Sequence, residues 1–141
     1  MSGAILLDTG PIVAVLDQRD AHHAFVSRRL APIRGRLITT GAVITEAASF
    51  LQDMRGGIAG FVEFITESGV EIWDCFGIET LRSAADVMAA YADTPMDFAD
   101  ATLVLAAEHY GTPDIATTDK RGFITFRFAR NKPFRLVLQS A

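Results

Sequence analysis

The chain has 141 residues, of which 50% are hydrophobic and 21% charged, and its net charge is −4. This composition predicts one soluble globular domain over residues 1–141 that buries its own core, and the single cysteine, Cys75, excludes an intrachain disulfide and favours a reducing cytoplasm. No apolar run approaches the roughly 18 residues of a membrane span, and the opening MSGAILLDTG lacks the basic leader of a signal peptide.

Short aliphatic runs alternate with helical patterns along the whole chain. The patterns predict strand 4–7, a helix opened by Thr9-Gly10-Pro11 and running to Leu16, helix 20–30, strand 37–39, helices 42–54 and 58–66, strand 70–73, helices 78–91 and 95–109, and strands 114–117 and 134–138. This alternation is typical of a parallel α/β sheet covered on both faces. Ligands bind such sheets beyond the carboxyl ends of the strands.

Five carboxylates stand at or just beyond apolar runs: Asp8 in ILLDTG, Glu46 in VITEAASF, Asp97 and Asp100 in MDFADATLV, and Asp119 in ATTDKRG. A fold that gathered them would place four or five negative charges in one pocket, where they would repel one another. A hard divalent cation relieves that repulsion, and Mg²⁺ or Mn²⁺ held by carboxylates commonly serves phosphodiester hydrolysis. The sequence therefore predicts that these five acids are metal ligands.

Three of the acids also have structural interpretations. Asp8 lies where a helix N-cap is expected, but capping explains only one of Asp8 and Thr9. If Thr9 is the cap, the Asp8 carboxylate lies at the end of an apolar strand, which costs energy unless it is paired or bound to a metal. The segment Thr94-Pro95-Met96-Asp97 resembles a capping box with Thr94 as N-cap, so Asp97 is either structural or a ligand. Asp119 begins Asp-Lys-Arg-Gly, which is also typical of an exposed turn.

The other two acids lie inside predicted helices. Glu46 lies on or beside the buried face of its helix, and the alternative is a glutamate at the edge of the core that reaches solvent. Asp100 is three residues after Asp97 and shares its helix face, where the two could bind one cation or two adjacent ones. Asp100 stands between two alanines, and we find no structural role for it in the sequence.

Charge is divided unevenly along the chain. The first 119 residues carry a net charge of −10, and the residues after Asp119 carry six positive charges and no acid. We expect Lys120 and Arg121 to contact substrate phosphates beside the acid pocket, with simple surface charge as the alternative. The basic residues of this segment are interleaved with four predicted core anchors, Phe123, Phe126, Phe128 and Phe134.

Other candidate catalytic groups have less support. His22 and His23 lack Cys or His partners at metal-binding spacing, and adjacent helical residues point about 100° apart, so we expect them at the surface or at an interface. Ser49 lacks a plausible His and Asp arrangement, and Cys75 lacks a matched base. The sequence contains no glycine-rich phosphate loop and no dinucleotide fingerprint.

Four segments in order resemble the PIN-domain ribonucleases, and particularly the VapC-like toxins of bacterial toxin–antitoxin pairs: LLDTGPIVAVLD, ITEAASFL, MDFADATLVLAAE and IATTDKRGF. The resemblance covers nearly the entire chain. It implies a PIN-like three-layer α/β sandwich with a twisted, mainly parallel sheet between helices. It further implies a metal-dependent endoribonuclease that cuts single-stranded or looped RNA.

The resemblance also assigns roles to residues. It implies that the catalytic acids, which bind Mg²⁺ or Mn²⁺, are Asp8, Glu46, Asp100 and Asp119, and that Asp97 is an additional acid found in many members. Thr9 matches the small hydroxyl residue that often follows the first aspartate. Thr118 resembles the residue that precedes the last aspartate of the family's acidic quartet.

The partners implied by the resemblance are an RNA substrate, a second copy of the chain in a homodimer, and a cognate antitoxin whose peptide arm occupies the active-site groove. The apolar segments 50–54 and 58–64, on either side of Gly56-Gly57, would either supply an interface or belong to the core. The neighbouring gene would help to separate a toxin from a housekeeping RNA-processing nuclease.

Two further functions compete with this interpretation. An aspartyl-phosphate phosphotransferase also uses an aspartate after its first strand, but it normally requires a second acid two residues later, where this chain has Gly10. A non-catalytic PIN-like module would bind RNA or protein without cutting, and the loss of one or two acids would be its expected mark. The five acids are all present here.

Overall fold

The central sheet is built from five short strands. The computed structural model describes residues 3–74 and 77–139. Within them the sheet strands are β1 Ala4–Leu7, β2 Arg36–Thr40, β3 Glu71–Trp73, β4 Asp114–Ala116 and β7 Arg135–Leu136, and a separate hairpin joins β5 Arg127–Phe128 to β6 Lys132–Pro133. The sheet order is β3-β2-β1-β4-β7 and all its neighbouring strands are parallel, whereas the hairpin is antiparallel.

Helices connect the strands and flank the sheet. They are α1 Thr9–Leu16, α2 His23–Leu30, α3 Gly41–Leu51, α4 Gly57–Glu67, α5 Ile78–Ala90, α6 Phe98–Tyr110 and α7 Lys120–Thr125. Parallel neighbours require a crossover connection, which these helices supply. The predicted α/β fold with a mainly parallel sheet flanked by helices is therefore confirmed.

The core forms where the strands are aliphatic. All four residues of β1 are buried, as expected for a central parallel strand covered on both faces. The predicted aromatic anchors are also buried, and the Phe123 ring meets those of Phe126 and Phe134 edge to face at centroid distances of 5.1 and 5.3 Å. These contacts fix the segment that follows Asp119 against the sheet.

Several predicted boundaries are wrong. Helix α2 begins at His23 rather than near Asp20, and α6 begins at Phe98 rather than at Pro95. The sequence does not predict α7 or the β5–β6 hairpin, whose elements are too short to repeat a helical or strand period. Cys75 lies outside the described residues. Within the described residues, no helix combines the length and apolar character needed to cross a membrane.

Candidate active site

The predicted acids meet where the strand order of the sheet reverses. Strands β2 and β3 lie on one side of β1, and β4 lies on the other, so the crevice beyond β1 and β4 is the topological switch point. Asp8 directly follows β1, and its N–H donates to Ala116 O of β4 at 3.0 Å. Asp119 follows β4 after two threonines. The sheet therefore holds these two acids, far apart in sequence, beside one crevice.

A cavity of about 360 Å³ occupies this crevice. All five predicted acids line it, together with Asp20 and His22. The remaining lining residues are Thr9, Gly10, Val13, Phe50 and Thr118, so the described part of the chain contributes no Lys or Arg to its wall. The cavity is therefore strongly acidic, and no lysine or arginine among the described lining residues balances its negative charge.

Asp8 is fixed by two hydrogen bonds. Its Oδ1 accepts from the Thr9 N–H at 2.8 Å, and its Oδ2 accepts from the Thr117 hydroxyl at 2.7 Å. The Thr117 Oγ1 in turn accepts from the Asp119 N–H at 2.9 Å, so one hydroxyl connects both acids. Asp8 is also the N-cap of α1 and Thr9 is the first helical residue, so the interpretation of Thr9 as the cap is wrong.

Asp97 and Asp100 form a reciprocal capping box at the start of α6. Asp97 Oδ1 accepts from the Asp100 N–H at 2.8 Å, and Asp100 Oδ2 accepts from the Asp97 N–H at 3.2 Å. The expectation that Thr94 is the cap is wrong, because the segment 94–97 does not join the helix. Asp100 therefore has a structural role after all, although both carboxylates still line the cavity.

Asp119 and Glu46 complete the set. Asp119 is the N-cap of α7 and accepts from the Gly122 N–H at 3.1 Å. Glu46 projects from α3, whose N-cap Thr40 is hydrogen-bonded through its hydroxyl to Thr102 of α6 at 2.8 Å. Both threonines are buried, so this contact ties the helix that carries Glu46 to the helix that carries Asp100.

Three acids of the cavity have raised pKa values. Burial, together with the charges of Glu46 and Asp119, raises the pKa of Asp8 to about 6 against the hydrogen bonds from Thr117 and Thr9. Burial, together with the charges of Asp8, Asp97 and Asp119, raises the pKa of Asp100 to about 8 against the hydrogen bond with the Asp97 backbone. The pKa of Glu46 is raised by burial and by Asp97, and the neighbouring Thr9 hydroxyl lowers it in part. These shifts indicate a site that lacks positive charge.

The acids surround the cavity without forming a tight ligand cluster. Among residues 3–74 and 77–139, no three His, Cys, Asp or Glu side chains are arranged closely enough to hold one metal ion as they stand. The chemistry of the set nevertheless suits a hard cation, because carboxylate oxygens are the ligands that Mg²⁺ and Mn²⁺ prefer. The raised pKa values at Asp8, Glu46 and Asp100 would be reversed by such a charge.

The predicted supporting residues have different positions. Thr9 is buried in the cavity wall, and its hydroxyl lies near enough to Glu46 to lower the pKa of that carboxyl, although no described residue gives it a partner at hydrogen-bond distance. Thr118 lies so close to Gly10 that a Cβ at position 10 would overlap the Thr118 hydroxyl, which leaves no room for the second acid of a phosphotransferase. Lys120 is exposed and lines an adjoining cavity with Thr118, whereas Arg121 is exposed and lines neither cavity.

Several residues of the site were not assigned to it from the sequence. Thr117 orients Asp8, and Gly10, Val13, Asp20, His22 and Phe50 line the cavity. A buried hydroxyl directly after an apolar strand was the available signal for Thr117. Of the two histidines, His22 is exposed, as expected, and lines the cavity, whereas the His23 ring is hydrogen-bonded to Ala14 O at 2.7 Å.

Comparison with known proteins gives three independent matches. The PIN domain family model matches residues 5–129. Ribonuclease VapC26 of Mycobacterium tuberculosis is 27% identical over 125 residues, which cover 87% of this chain and 92% of that protein. The crystal structure of the sarcin-ricin loop cleaving toxin VapC20 of Mycobacterium tuberculosis superposes with a TM-score of 0.74 at 18% identity, covering 89% of this chain and 98% of the toxin. Because the family model spans most of the sequence, this chain belongs to the PIN domain family.

Proposed function

We propose that this protein is a divalent-metal-dependent endoribonuclease that hydrolyses RNA phosphodiester bonds and acts as the toxin of a toxin–antitoxin pair. The observation that carries the proposal is the cavity at the switch point, which gathers all five predicted acids and no Lys or Arg from the described residues. Membership of the PIN family and similarity to proteins named as a ribonuclease and an RNA-cleaving toxin support it.

The proposed cofactor is Mg²⁺ or Mn²⁺, held by Asp8, Glu46, Asp100 and Asp119, with Asp97 as an additional ligand. A bound divalent ion would polarise the phosphoryl group and make water a better nucleophile. The fit rests on the donor set, which consists of carboxylates; burial first, and then the charges of neighbouring carboxylates, raise the pKa values of Asp8, Glu46 and Asp100. The unpaired Thr9 hydroxyl gives the same wall a further oxygen.

The chain's own residues would position the reacting groups. Thr117 and the Thr9 N–H hold the Asp8 carboxylate in one orientation, and the Asp97–Asp100 box does the same for Asp100. Each of these carboxylate oxygens keeps a lone pair that can accept a further hydrogen bond. A deprotonated carboxylate of the cavity wall, from Asp8, Glu46 or Asp100, would take the proton from the attacking water. Lys120 and Arg121 would hold neighbouring phosphates.

A toxin of this kind would have protein partners. We infer a cognate antitoxin protein, a homodimeric state and a cytoplasmic location from the VapC-like relatives. The exposed apolar side chains of Ile58 and Val62, which are 42% and 56% exposed, give α4 a surface suited to a protein contact. Leu51 and Phe61 of the two predicted apolar segments belong to the core.

The testing experiment is cleavage of a panel of small structured and single-stranded RNAs by the purified protein with Mg²⁺ or Mn²⁺. Asp8→Asn and Asp100→Asn are the informative variants, because asparagine can still cap a helix but carries no charge. Asp86→Asn, an exposed residue of α5 outside the described cavities, is the matched control. We expect cleavage by the wild type and Asp86→Asn, and a loss of about 10²- to 10⁴-fold in the two site variants.

EDTA should abolish cleavage, and restored Mg²⁺ or Mn²⁺ should recover it. Isothermal titration of the metal into wild type and Asp100→Asn supplies a readout that does not depend on catalysis. Cleavage that persists in EDTA would contradict the proposed dependence on a divalent metal. A wild type that binds metal and RNA but cuts no member of the panel would instead indicate a binding module.

A further inference from the structure

A second cavity, of about 620 Å³, adjoins the acidic one between α3 and α6. Both cavities are lined by Glu46, Phe50 and Asp97, so together they form one continuous cleft. The rest of the second cavity is apolar or hydroxylated, and its other lining residues are Ala42, Thr45, Ser49, Phe98 and Ala99. A ligand whose reacting phosphate occupied the acidic cavity would extend directly into this space.

Phe50 is the prominent apolar group of this cleft. It lies one turn after Glu46 on α3, so the two side chains share a helix face. Its side chain is 65% exposed, whereas the adjacent Leu51 is 1% exposed. Scattered exposed apolar residues are common on proteins, but this ring lies in the wall that two joined cavities share, where a ligand in the cleft can contact it.

Charge selects which part of a nucleotide would contact Phe50. The acidic cavity repels phosphates beyond the one that its cation would neutralise, so a neighbouring nucleotide on this side would be held through its uncharged base. On the other side, a cavity of about 170 Å³ shares His22 and Thr118 with the acidic one and includes Lys120. Within the described residues, Lys120 is the only Lys or Arg that lines these three cavities.

We propose that the cavity beside Phe50 binds an unpaired base of the RNA, next to the phosphate that is cleaved, by stacking on the Phe50 ring. The proposal rests on the proposed ribonuclease function and adds a binding site for one nucleotide. Aromatic side chains bind splayed-out bases of single strands in this way. The Thr45 hydroxyl donates to Gly41 O at 2.9 Å, so towards a base it can serve as an acceptor for an N–H group.

The test measures where on the RNA Phe50 acts. The probe is a fluorescein-labelled, mixed-sequence single-stranded RNA, together with copies that each lack one base. Binding is measured in an Asp100→Asn background, which slows cleavage, at a Mg²⁺ concentration that the metal titration shows to saturate that variant. The proteins compared are this parent variant and the parent with Phe50→Ala or Phe50→Tyr added. Leu81→Ala is the matched control, since Leu81 is also an exposed apolar helical residue, 52% exposed, and lines none of these cavities.

We expect Phe50→Ala to weaken binding of the intact RNA about 10-fold, as loss of one stacked base would, and Phe50→Tyr and Leu81→Ala to bind as the parent does. One base-lacking RNA should bind the parent about 10-fold more weakly than the intact RNA does. Phe50→Ala should not distinguish that RNA from the intact one. This pairwise dependence is the signature of a base on the ring.

Equal affinities for Phe50 and Phe50→Ala would overturn the proposal. A loss of affinity that is the same for every base-lacking RNA, with conversion from dimer to monomer in sedimentation velocity, would also overturn it and would assign the surface to a second copy. RNA cleavage by the wild type, which keeps Asp100, is measured separately. If the wild type cleaves RNA and Phe50→Ala does not change RNA binding, the base site alone is contradicted. If binding depends on one base but the wild type does not cleave, the proposed function alone is contradicted, and if no RNA binds, both are contradicted.

Discussion

The raised pKa values of Asp8 and Asp100 make the stability of the metal-free protein depend on pH. Both carboxyls hold protons more tightly in the folded chain than in the unfolded chain, because burial and neighbouring charges raise their pKa values from the ordinary 3.8 to about 6 and about 8. The contribution of these two carboxyls to stability is therefore fully present below pH 3.8. The Asp8 part is lost as the pH rises through about 6, and the Asp100 part as it rises through about 8. For the fully buried Asp8 the loss is on the order of 3 kcal/mol.

Urea unfolding in EDTA at intervals from pH 4.5 to pH 8.5 tests this dependence. We expect the midpoint to fall with rising pH, and Asp8→Asn to flatten the part of the profile near pH 6, the pKa of Asp8. Added Mg²⁺ should raise the midpoint most at high pH, because binding requires deprotonated ligands. A wild-type profile parallel to that of Asp8→Asn would show that the Asp8 carboxyl does not titrate in this range.

Thr117 makes a second prediction at the scale of single residues. Thr117→Val keeps the shape of the side chain but removes the hydroxyl that donates to Asp8 and accepts from the Asp119 N–H. We expect the free energy of unfolding to fall by about 1–3 kcal/mol, because buried polar groups lose their partner, and kcat for RNA cleavage to fall about 10- to 100-fold. Denaturant unfolding and initial cleavage rates measure the two effects.

The control for that variant is Thr66→Val. The Thr66 hydroxyl is exposed and bonds only within α4, to Val62 O at 2.9 Å and Glu63 O at 3.1 Å, so its loss should leave cleavage unchanged. If Thr117→Val cleaves RNA at the wild-type rate, orientation of Asp8 by this hydroxyl is unimportant for the reaction.

At the scale of elements, the approach of α1 to the segment after β4 depends on Gly10. A Cβ at position 10 would overlap the Thr118 hydroxyl, so Gly10→Ala should destabilise the protein by about 1–3 kcal/mol although alanine favours helices. Gly60 in α4 has open space around its Cβ position, and Gly60→Ala should stabilise by up to about 1 kcal/mol. Thermal unfolding of both variants compares one substitution in two surroundings.

The double variant Gly10→Ala/Thr118→Ala identifies the cause. If the overlap is responsible, removal of the Thr118 hydroxyl should recover most of the stability lost in Gly10→Ala. Equal destabilisation in the single and double variants would mean that the helix start itself, rather than its distance from Thr118, rejects alanine.

For the whole molecule, the uneven charge predicts how RNA binding responds to salt. Of the basic residues after Asp119, Arg135 pairs with Asp114 at 2.6 Å and Arg127 bonds the carbonyls that end α7, but Lys120 and Arg121 are exposed at the start of α7 beside the acidic cavity. Lys120→Gln/Arg121→Gln should weaken RNA binding and reduce the slope of log affinity against log salt by about 1.4.

The charge-matched control is Arg55→Gln/Arg82→Gln, two exposed residues outside the described cavities. Fluorescence anisotropy of a labelled single-stranded RNA over a salt series measures both slopes. A slope that changes equally in the two double variants would indicate general attraction by net charge instead of phosphate contacts at α7.

The sequence predicts the architecture and the set of acids more securely than the local geometry. Aliphatic runs followed by Asp8 and by Thr117-Thr118-Asp119 predict both strands of the switch point, because a buried parallel strand is readable from its composition. The capping residues of α6 were assigned wrongly, since Thr94 and Asp97 both suit an N-cap and only packing of the chain decides between them. The role of Thr117 depends on a contact across 109 residues, which no local pattern contains.

That long separation has a consequence for the order of events during protein synthesis. Asp8 is synthesised 109 residues before its partner hydroxyl at Thr117. Strand β4 cannot add to β1 until that later segment has been made. A nascent chain therefore carries an incomplete site until β4 and Asp119 have been synthesised, and an RNA-cutting activity would not arise before then.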